Sequence, residues 1–250
     1  MIPTNLPSLN HLRSATTPKD AVPFRVGILI APGFIPMDMA GIQAVFGAAP
    51  GAEIHLLWKT SEAVEGFPNW WTLPTTTFAD CPEKLDVLAV PMLPPEILSD
   101  PEVIPFIAEK AAKASYVIGI CNGVLLLGAA GILKGRRATA SYNAIPTLSS
   151  LGVTEVVPSG NGTIVDGNLY TAGPGVGSFE AALLVTEAAF GRQIAELLAL
   201  VLEYDPHPPF NTGNPKNASR ADVAVFEAMM APLESEYKRS ALVALKTAEA

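Results

Sequence analysis

Residues 115–131 read Ser115-Tyr-Val-Ile-Gly-Ile-Cys121-Asn-Gly-Val-Leu-Leu-Leu-Gly-Ala-Ala-Gly131, an apolar run rich in β-branched residues that passes through a cysteine into a helix-like stretch. Glycines stand two positions before and two positions after the cysteine, at Gly119 and Gly123. A residue on a sharp turn between a buried strand and a helix has close-packed neighbours at those positions, where glycine leaves the necessary space. The pattern therefore predicts a nucleophile elbow that carries Cys121.

Such a turn places the Cys121 side chain over the first turn of the following helix. Unpaired backbone N–H groups and the helix dipole favour negative charge there, so we expect a stabilised thiolate. The alternative is an inert, buried cysteine, which is the ordinary state of a free cysteine. The two flanking glycines and the strand-to-helix context favour the nucleophile.

The rest of the chain alternates short apolar runs with helical segments. Residues 24–31 form the first such run and residues 84–90 form another. Continuous apolar runs of this length are typical of strands buried on both faces, as in a parallel sheet. We predict an α/β fold with a doubly wound, mostly parallel sheet flanked by helices, of the flavodoxin-like type.

We expect one α/β domain at residues 23–203 with a further segment on each side. Residues 1–22 have many turn-forming residues and no apolar period, which predicts a flexible arm. Residues 204–250 begin with a proline-rich loop, since four prolines fall within 204–215, and continue into a helical extension. Within the domain, residues 154–172 are predicted to form a hairpin region that turns at Asp166-Gly167-Asn168.

Composition restricts the class of partner. The 250 residues carry a formal net charge of −8, and an acidic surface is not attracted to nucleic acid or anionic membranes. No stretch reaches the ~18 to 20 consecutive apolar residues of a membrane span, and no basic segment followed by an apolar one opens the chain. We therefore expect a cytoplasmic protein with a small-molecule substrate and neither nucleic acid nor membrane as partner.

Cysteine and histidine usage excludes several kinds of site. Cys81 and Cys121 are the two cysteines, which favours neither a disulfide framework nor a zinc cluster. The three histidines are His11, His55 and His207, and none closely follows the elbow. A Cys-His-Asp hydrolytic triad is therefore poorly supported.

Three predicted strands end in segments that should meet at one edge of the sheet. These segments are residues 31–38, residues 90–94 and Cys121. Because ligands bind outside the carboxyl ends of parallel strands, we expect one pocket there. Asp38 would supply a carboxyl group whose pKa is raised by burial and which exchanges a proton with the thiol. The alternative is an aspartate that merely favours a helix N-terminus.

The anion-stabilising groups are predicted from the same loops. Backbone N–H groups of Asn122 and Leu93 could stabilise negative charge near the sulfur. The Asn122 side chain could act at the reacting centre or satisfy the start of the helix. Trp70 and Trp71 are expected to pack a core edge or a subunit contact rather than wall the pocket.

Residues 119–139 resemble the cysteine motif of the DJ-1/PfpI superfamily. They read Gly119-Ile-Cys-Asn-Gly-Val-Leu-Leu-Leu-Gly-Ala-Ala-Gly-Ile-Leu-Lys-Gly-Arg-Arg-Ala-Thr139. Within that superfamily the chain looks most like the isocyanide hydratase group. The likeness rests on an aspartate at Asp38, the Gly-Ala-Ala-Gly-Ile-Leu continuation, and Tyr-Asp-Pro-His-Pro-Pro-Phe-Asn beyond the core. It implies a homodimer and a cofactor-free hydration. In that reaction the Cys121 thiolate adds to the terminal carbon of an isocyanide, while Asp38 shuttles a proton and activates water.

Three positions depart from the hydratase pattern. Asn122 stands where that group commonly has threonine, residues 91–93 read Pro-Met-Leu instead of Pro-Gly-Gly, and residues 141–142 read Ser-Tyr instead of His-Trp. We place Asn122, Leu93, Gly123 and Tyr142 in the oxyanion and substrate-binding set. Because these changes fall in the pocket while Cys121 and Asp38 stay, related chemistry on a different substrate is indicated.

The leading prediction is a cofactor-independent lyase that hydrates a small apolar molecule, with an isocyanide as first candidate. A glyoxalase-like enzyme would instead form a hemithioacetal between Cys121 and a reactive carbonyl. A non-enzymatic redox sensor or stress protein would have Cys121 oxidised to a sulfinate beside Asp38. The sequence leaves all three open.

Overall fold

The computed structural model of the protein describes Thr17, Asp20 and residues 22–248. The flexible arm predicted at residues 1–22 lies almost entirely outside these residues. Among the helices of the described chain, none combines the length and apolarity that crossing a bilayer requires.

Eleven short strands are assigned in the described residues. They are β1 (Phe24–Leu29), β2 (Ala52–Trp58), β3 (Val64–Gly66), β4 (Trp70–Thr72), β5 (Thr76–Thr77), β6 (Val87–Val90), β7 (Tyr116–Ile120), β8 (Arg137–Ala138), β9 (Glu155–Val156), β10 (Ile164–Asp166) and β11 (Leu169–Ala172). Seven of them form the central sheet, in the order β10-β11-β7-β6-β1-β2-β5. The β10–β11 pair is antiparallel and every other neighbouring pair in this sheet is parallel.

The α-helices of the described residues are α1 (Pro36–Gly47), α2 (Val103–Lys113), α3 (Gly123–Ala129), α4 (Ile145–Leu148), α5 (Val176–Phe190), α6 (Arg192–Val201) and α7 (Arg220–Ala248). Helix α1 packs against α5, which also lies on β7 and β11. Helix α3 packs against α2 and α7 and lies on β6 and β7. The two sets of helices enclose the parallel strands, so the predicted doubly wound α/β fold is confirmed.

The burial of the strands explains their composition. Every residue of β6 and β11 is buried, as are the last four residues of β1 and of β7. A strand covered on both faces gains from apolar side chains at every position, which is why these runs do not alternate with polar residues. Strand β1 lies between β2 and β6, so the order in which the chain adds strands to the sheet reverses at β1. Such a reversal opens a crevice at the carboxyl ends of β1 and β6.

The hairpin predicted with its turn at Asp166-Gly167-Asn168 is confirmed, since β10 and β11 form an antiparallel pair around that turn. Its predicted extent was wrong, because β9 pairs in parallel with β8 and takes no part in the hairpin. Pro158, Gly160 and Gly162 separate β9 from β10, and both glycines have positive φ, which breaks the extended run. Trp70 and Trp71 lie in β4, where they are 54% and 63% exposed, so they do not pack a core edge of this chain, and the alternative of a subunit contact stays a prediction.

Helix α7 is part of the packed interior. Tyr237 and Ala241 are fully buried and belong to the same apolar core as the sheet residues. The proline-rich segment that precedes α7 is largely exposed and contains only a short 3₁₀ turn at Asn211–Gly213. The division into a domain at residues 23–203 and an extension at 204–250 stays a proposal, in which the extension contributes to the core.

The turn between β7 and α3 depends on its two glycines. A Cβ atom at Gly123 would overlap the backbone carbonyl oxygens of Val90 and Pro91, and one at Gly119 would lie 2.7 Å from the side chain of Leu127. Cys121, between the glycines, has φ +58°, in the left-handed region that non-glycine residues rarely occupy. The tight packing at Gly123 thus brings α3 against the end of β6 and leaves Cys121 on a sharp turn.

We expect Gly123→Ala to lower the free energy of unfolding by about 3 kcal/mol or more, because the new methyl group meets backbone atoms that cannot move aside as a side chain can. Chemical denaturation would measure this. Gly47→Ala is the matched control: Gly47 ends α1 and a Cβ there meets nothing within 4 Å. It should be neutral or slightly stabilising, and equal losses in both variants would contradict the packing argument.

Candidate active site

Three loops at the carboxyl ends of the parallel strands meet around Asp38. The Asp38 carboxyl is fully buried in the first turn of α1, which follows β1. Its Oδ1 accepts a hydrogen bond from the backbone N–H of Gly175 at 2.8 Å, and its Oδ2 accepts one from the N–H of Met92 at 3.3 Å. Gly175 precedes α5 and Met92 follows β6. The structure thus holds the carboxyl in place by two backbone donors.

Cys121 lies beside this carboxyl at the end of β7. Its side chain is half-buried, and its thiol lies close enough to the Asp38 carboxyl for each group to shift the pKa of the other. Burial raises the pKa of Asp38, while the two backbone N–H groups and the thiol oppose that rise. The cysteine and aspartate predicted from sequence are therefore brought together.

The stabilised thiolate expected from the helix N-terminus is not supported. Burial raises the pKa of Cys121 well above its usual value, and the nearby Asp38 carboxylate raises it further. The backbone N–H of Asn122 hydrogen-bonds the sulfur and acts in the opposite direction, as the helix argument expected, but it does not outweigh the other two effects. Cys121 therefore rests as a thiol beside the Asp38 carboxyl.

Asn122 is buried and its side chain does not cap α3. Its Oδ1 accepts a hydrogen bond from the Cys121 thiol, at 4.0 Å, and another from the hydroxyl of Ser141. The hydroxyl of Tyr237, from α7, hydrogen-bonds the Asn122 side chain and donates to the carbonyl oxygen of Leu93. The side chain therefore belongs to the surroundings of the sulfur rather than to the helix start.

The other predicted binding residues have different positions. Leu93 is fully buried, and its described contact is through its carbonyl oxygen, so an anion-stabilising role for its N–H stays a prediction. Gly123 serves the close packing of α3. The Tyr142 hydroxyl donates a hydrogen bond to Glu227 on α7, at 2.8 Å, and its ring lies against Phe226.

Tyr142 instead borders a cavity of about 460 Å³ between α4 and α7. Apolar side chains, among them Ile145, Phe226 and Met230, form much of its wall. Neither Cys121 nor Asp38 lines it. The substrate-binding role predicted for Tyr142 is therefore not supported by contact with the cysteine.

Histidine takes no part in this arrangement within the described residues. His55 lies on β2, where its Nδ1 is 2.9 Å from the hydroxyl of Thr76, and burial lowers its pKa. His207 is exposed and pairs with Asp205 of its own loop, and His11 falls outside the described residues. Nor does this part of the chain contain a group of three or more histidine, cysteine, aspartate or glutamate side chains arranged to hold a metal ion.

Sequence reasoning missed three residues of the site. The sequence shows Ser141 only as a departure from the resembled pattern, and it does not single out Gly175 or Tyr237. Gly175 and Asp38 are 137 positions apart, and Tyr237 and Leu93 are 144 apart. The glycine cluster at residues 173–177 was the one local signal, since its positive-φ Gly175 lets a backbone N–H point away from α5.

Comparisons of the sequence and of the fold with known proteins lead to the same family. The model of the DJ-1/PfpI family matches residues 24–187. Isonitrile hydratase of Pseudomonas putida is 37% identical over 214 residues, which span 83% of this chain and 90% of that protein. A ThiJ/PfpI family protein from Pseudomonas syringae has a TM-score of 0.83 at 29% identity, over 96% of this chain and 97% of that one. Drosophila melanogaster DJ-1beta shares the fold, with a TM-score of 0.64 at 20% identity, over 73% of this chain and 98% of that one.

We expect Asp38→Asn to lower the pKa of the Cys121 thiol, because the substitution removes the negative charge that opposes thiolate formation. A fall of one unit raises the thiolate fraction about tenfold and lowers its nucleophilicity about threefold. Iodoacetamide should then alkylate Cys121 about threefold faster at pH about 7, measured by mass spectrometry of the peptide. Asp80→Asn, at an exposed carboxyl bonded to Thr77, is the control. Slower alkylation of the Asp38 variant would show that the carboxylate promotes ionisation instead.

Proposed function

We propose that this protein, which belongs to the DJ-1/PfpI family, is a cofactor-independent hydratase that converts an isocyanide into an N-substituted formamide. One observation carries the proposal: the thiol of Cys121 lies beside a buried carboxyl, Asp38, that two backbone N–H groups hold in place. The 37% identity to a protein named isonitrile hydratase supports the choice of substrate class.

In the first step the Cys121 sulfur attacks the terminal carbon of R–N≡C. The thiol proton passes to Asp38 as the carbon–sulfur bond forms, and Asp38 delivers it to the same carbon. The product is a thioimidate, R–N=CH–S–Cys121, with Asp38 again ionised. The thiol need not ionise beforehand, since a carboxyl that can accept its proton lies beside it.

In the second step water completes the hydration. Asp38 takes a proton from water as the water oxygen attacks the thioimidate carbon, and it passes that proton to the substrate nitrogen. The carbon–sulfur bond then breaks, the hydroxyl proton returns through Asp38 to the sulfur, and R–NH–CHO leaves. One water is consumed, and both side chains are regenerated, so no further reactant is required.

The electrostatics of the site suit a neutral substrate. Asp38 is buried, and the Cys121–Asp38 pair already carries one negative charge. A second buried anion would be costly, whereas an isocyanide brings no net charge. The proposal also includes a homodimer, a cytoplasmic location and a small apolar R group.

The redox alternative has less support from the site. Cysteines that sense oxidants combine a low pKa with solvent access. Here burial and Asp38 raise the pKa of Cys121, and its side chain is half-buried. A glyoxalase-like reaction would use the same two groups, and methylglyoxal consumption without glutathione would distinguish it from hydration.

Turnover of a panel of alkyl and aryl isocyanides, with the formamide product identified by mass spectrometry, tests the proposal. We expect product with the wild type, none above background with Cys121→Ala, and a rate about 10²- to 10⁴-fold lower with Asp38→Asn, the usual range for loss of a general acid–base group.

Cys81→Ser is the matched control, because Cys81 is a buried thiol outside the site and the variant should keep its activity. Absence of formamide from every isocyanide would refute the hydratase proposal. In that case a change of intact mass in mild peroxide, with no turnover of methylglyoxal, would support the redox function.

A further inference from the structure

Three buried polar side chains surround the Cys121 sulfur without belonging to the Cys121–Asp38 pair. Asn122 is 1% exposed, Ser141 is 4% exposed and Tyr237 is fully buried. They come from the start of α3, from the loop before α4 and from α7. Burying three polar groups is costly unless each finds a hydrogen-bond partner, so their mutual arrangement needs an explanation.

The hydrogen bonds of Tyr237 and Ser141 fix the orientation of the Asn122 side-chain amide. The Tyr237 hydroxyl has a single proton, which it donates to the carbonyl oxygen of Leu93. Toward Asn122 it can therefore only accept, so the amide nitrogen of Asn122 faces Tyr237. The amide oxygen then faces the opposite way, toward Ser141 and the sulfur, which matches the hydrogen bond that Ser141 donates to it.

The amide oxygen of Asn122 disfavours a thiolate at Cys121, and the Ser141 hydroxyl can offset this effect. Oδ1 of Asn122 lies 4.0 Å from the Cys121 sulfur. Its partial negative charge favours the thiol and disfavours a thiolate. The Ser141 hydroxyl donates to this same oxygen, next to the sulfur, and it lowers the pKa of the Cys121 thiol. It is a rotatable donor that can turn from the amide oxygen to the sulfur when charge develops there.

We propose that Ser141 is the hydroxyl donor to the sulfur of Cys121, and that Tyr237 is a positioning residue that orients Asn122 and thereby Ser141. The inference rests on the proposed function for its chemistry, since attack on the substrate places negative charge on the sulfur. It also accounts for Asn122 at the position where the hydratase group commonly has threonine: the hydroxyl comes from residue 141 instead. Helix α7 thus contributes to the reacting centre from the C-terminal segment.

The test measures the thiol directly rather than turnover. Iodoacetamide alkylation of Cys121, resolved from Cys81 by peptide mass spectrometry, is followed against pH for the wild type, Ser141→Ala, Ser141→Thr and Tyr237→Phe. Loss of a hydrogen bond to a charged group raises the thiol pKa by about one unit or more. We expect Ser141→Ala to slow alkylation about threefold or more at pH about 8, and Ser141→Thr to restore it.

Tyr237→Phe should slow alkylation in the same sense, because Asn122 loses the partner that fixes its orientation. Tyr170→Phe is the matched control, since Tyr170 is a buried tyrosine whose ring packs against Tyr116. Its alkylation rate should equal that of the wild type. Should Tyr237→Phe fail to fold, the Ser141→Ala and Ser141→Thr pair still decides the role of the hydroxyl.

Unchanged alkylation in Ser141→Ala would overturn the proposal. So would equal slowing in Ser141→Ala and Ser141→Thr, because a hydroxyl is present in the second variant. Wild-type alkylation in Tyr237→Phe would overturn the positioning role of Tyr237. The outcome is independent of isocyanide turnover, so a protein without hydratase activity could still show the Ser141 effect, and an active hydratase could lack it.

Discussion

The close approach of Gly123 to the backbone of Val90 and Pro91 is the constraint on which the site depends. It joins the first residue of α3 to the end of β6 with no room for a side chain. Because β7 runs beside β6, the chain between β7 and α3 must turn sharply, and Cys121 takes a left-handed backbone conformation to make that turn. The sulfur then lies at the edge of the sheet, where the loops after β1 and β6 also end.

A second consequence is electrostatic. The turn brings the sulfur to a carboxyl that backbone N–H groups of Met92 and Gly175 hold in a buried position. Burial raises the pKa of both groups, and the two N–H groups partly oppose that rise at Asp38, so the thiol ionises less readily than the carboxyl. A site of this kind is suited to proton transfer coupled to attack, rather than to a freely ionised nucleophile.

The C-terminal helix links the fold to the site. Helix α7 packs on α3 and on the 3₁₀ turn at Pro95–Ser99, so it covers both the turn that carries Cys121 and the loop after β6. Tyr237 extends from this helix into the core, and its hydroxyl finds partners in Leu93 and Asn122. A segment that is separate in sequence from the doubly wound sheet thereby completes the hydrogen bonding around the sulfur.

The sequence by itself determined the parallel sheet, the glycine-flanked turn at Cys121 and the partnership with Asp38. Each of these depends on local patterns: apolar runs that mark strands buried on both faces, glycines at fixed offsets from the cysteine, and the rule that loops after parallel strands share one edge. Only the tertiary structure decided the protonation of the pair, the exposure of Trp70 and Trp71, and the places of Gly175, Ser141 and Tyr237. The pKa of a thiol depends on its burial and on nearby charges, and contacts between residues 137 or 144 positions apart arise from packing that no local pattern encodes.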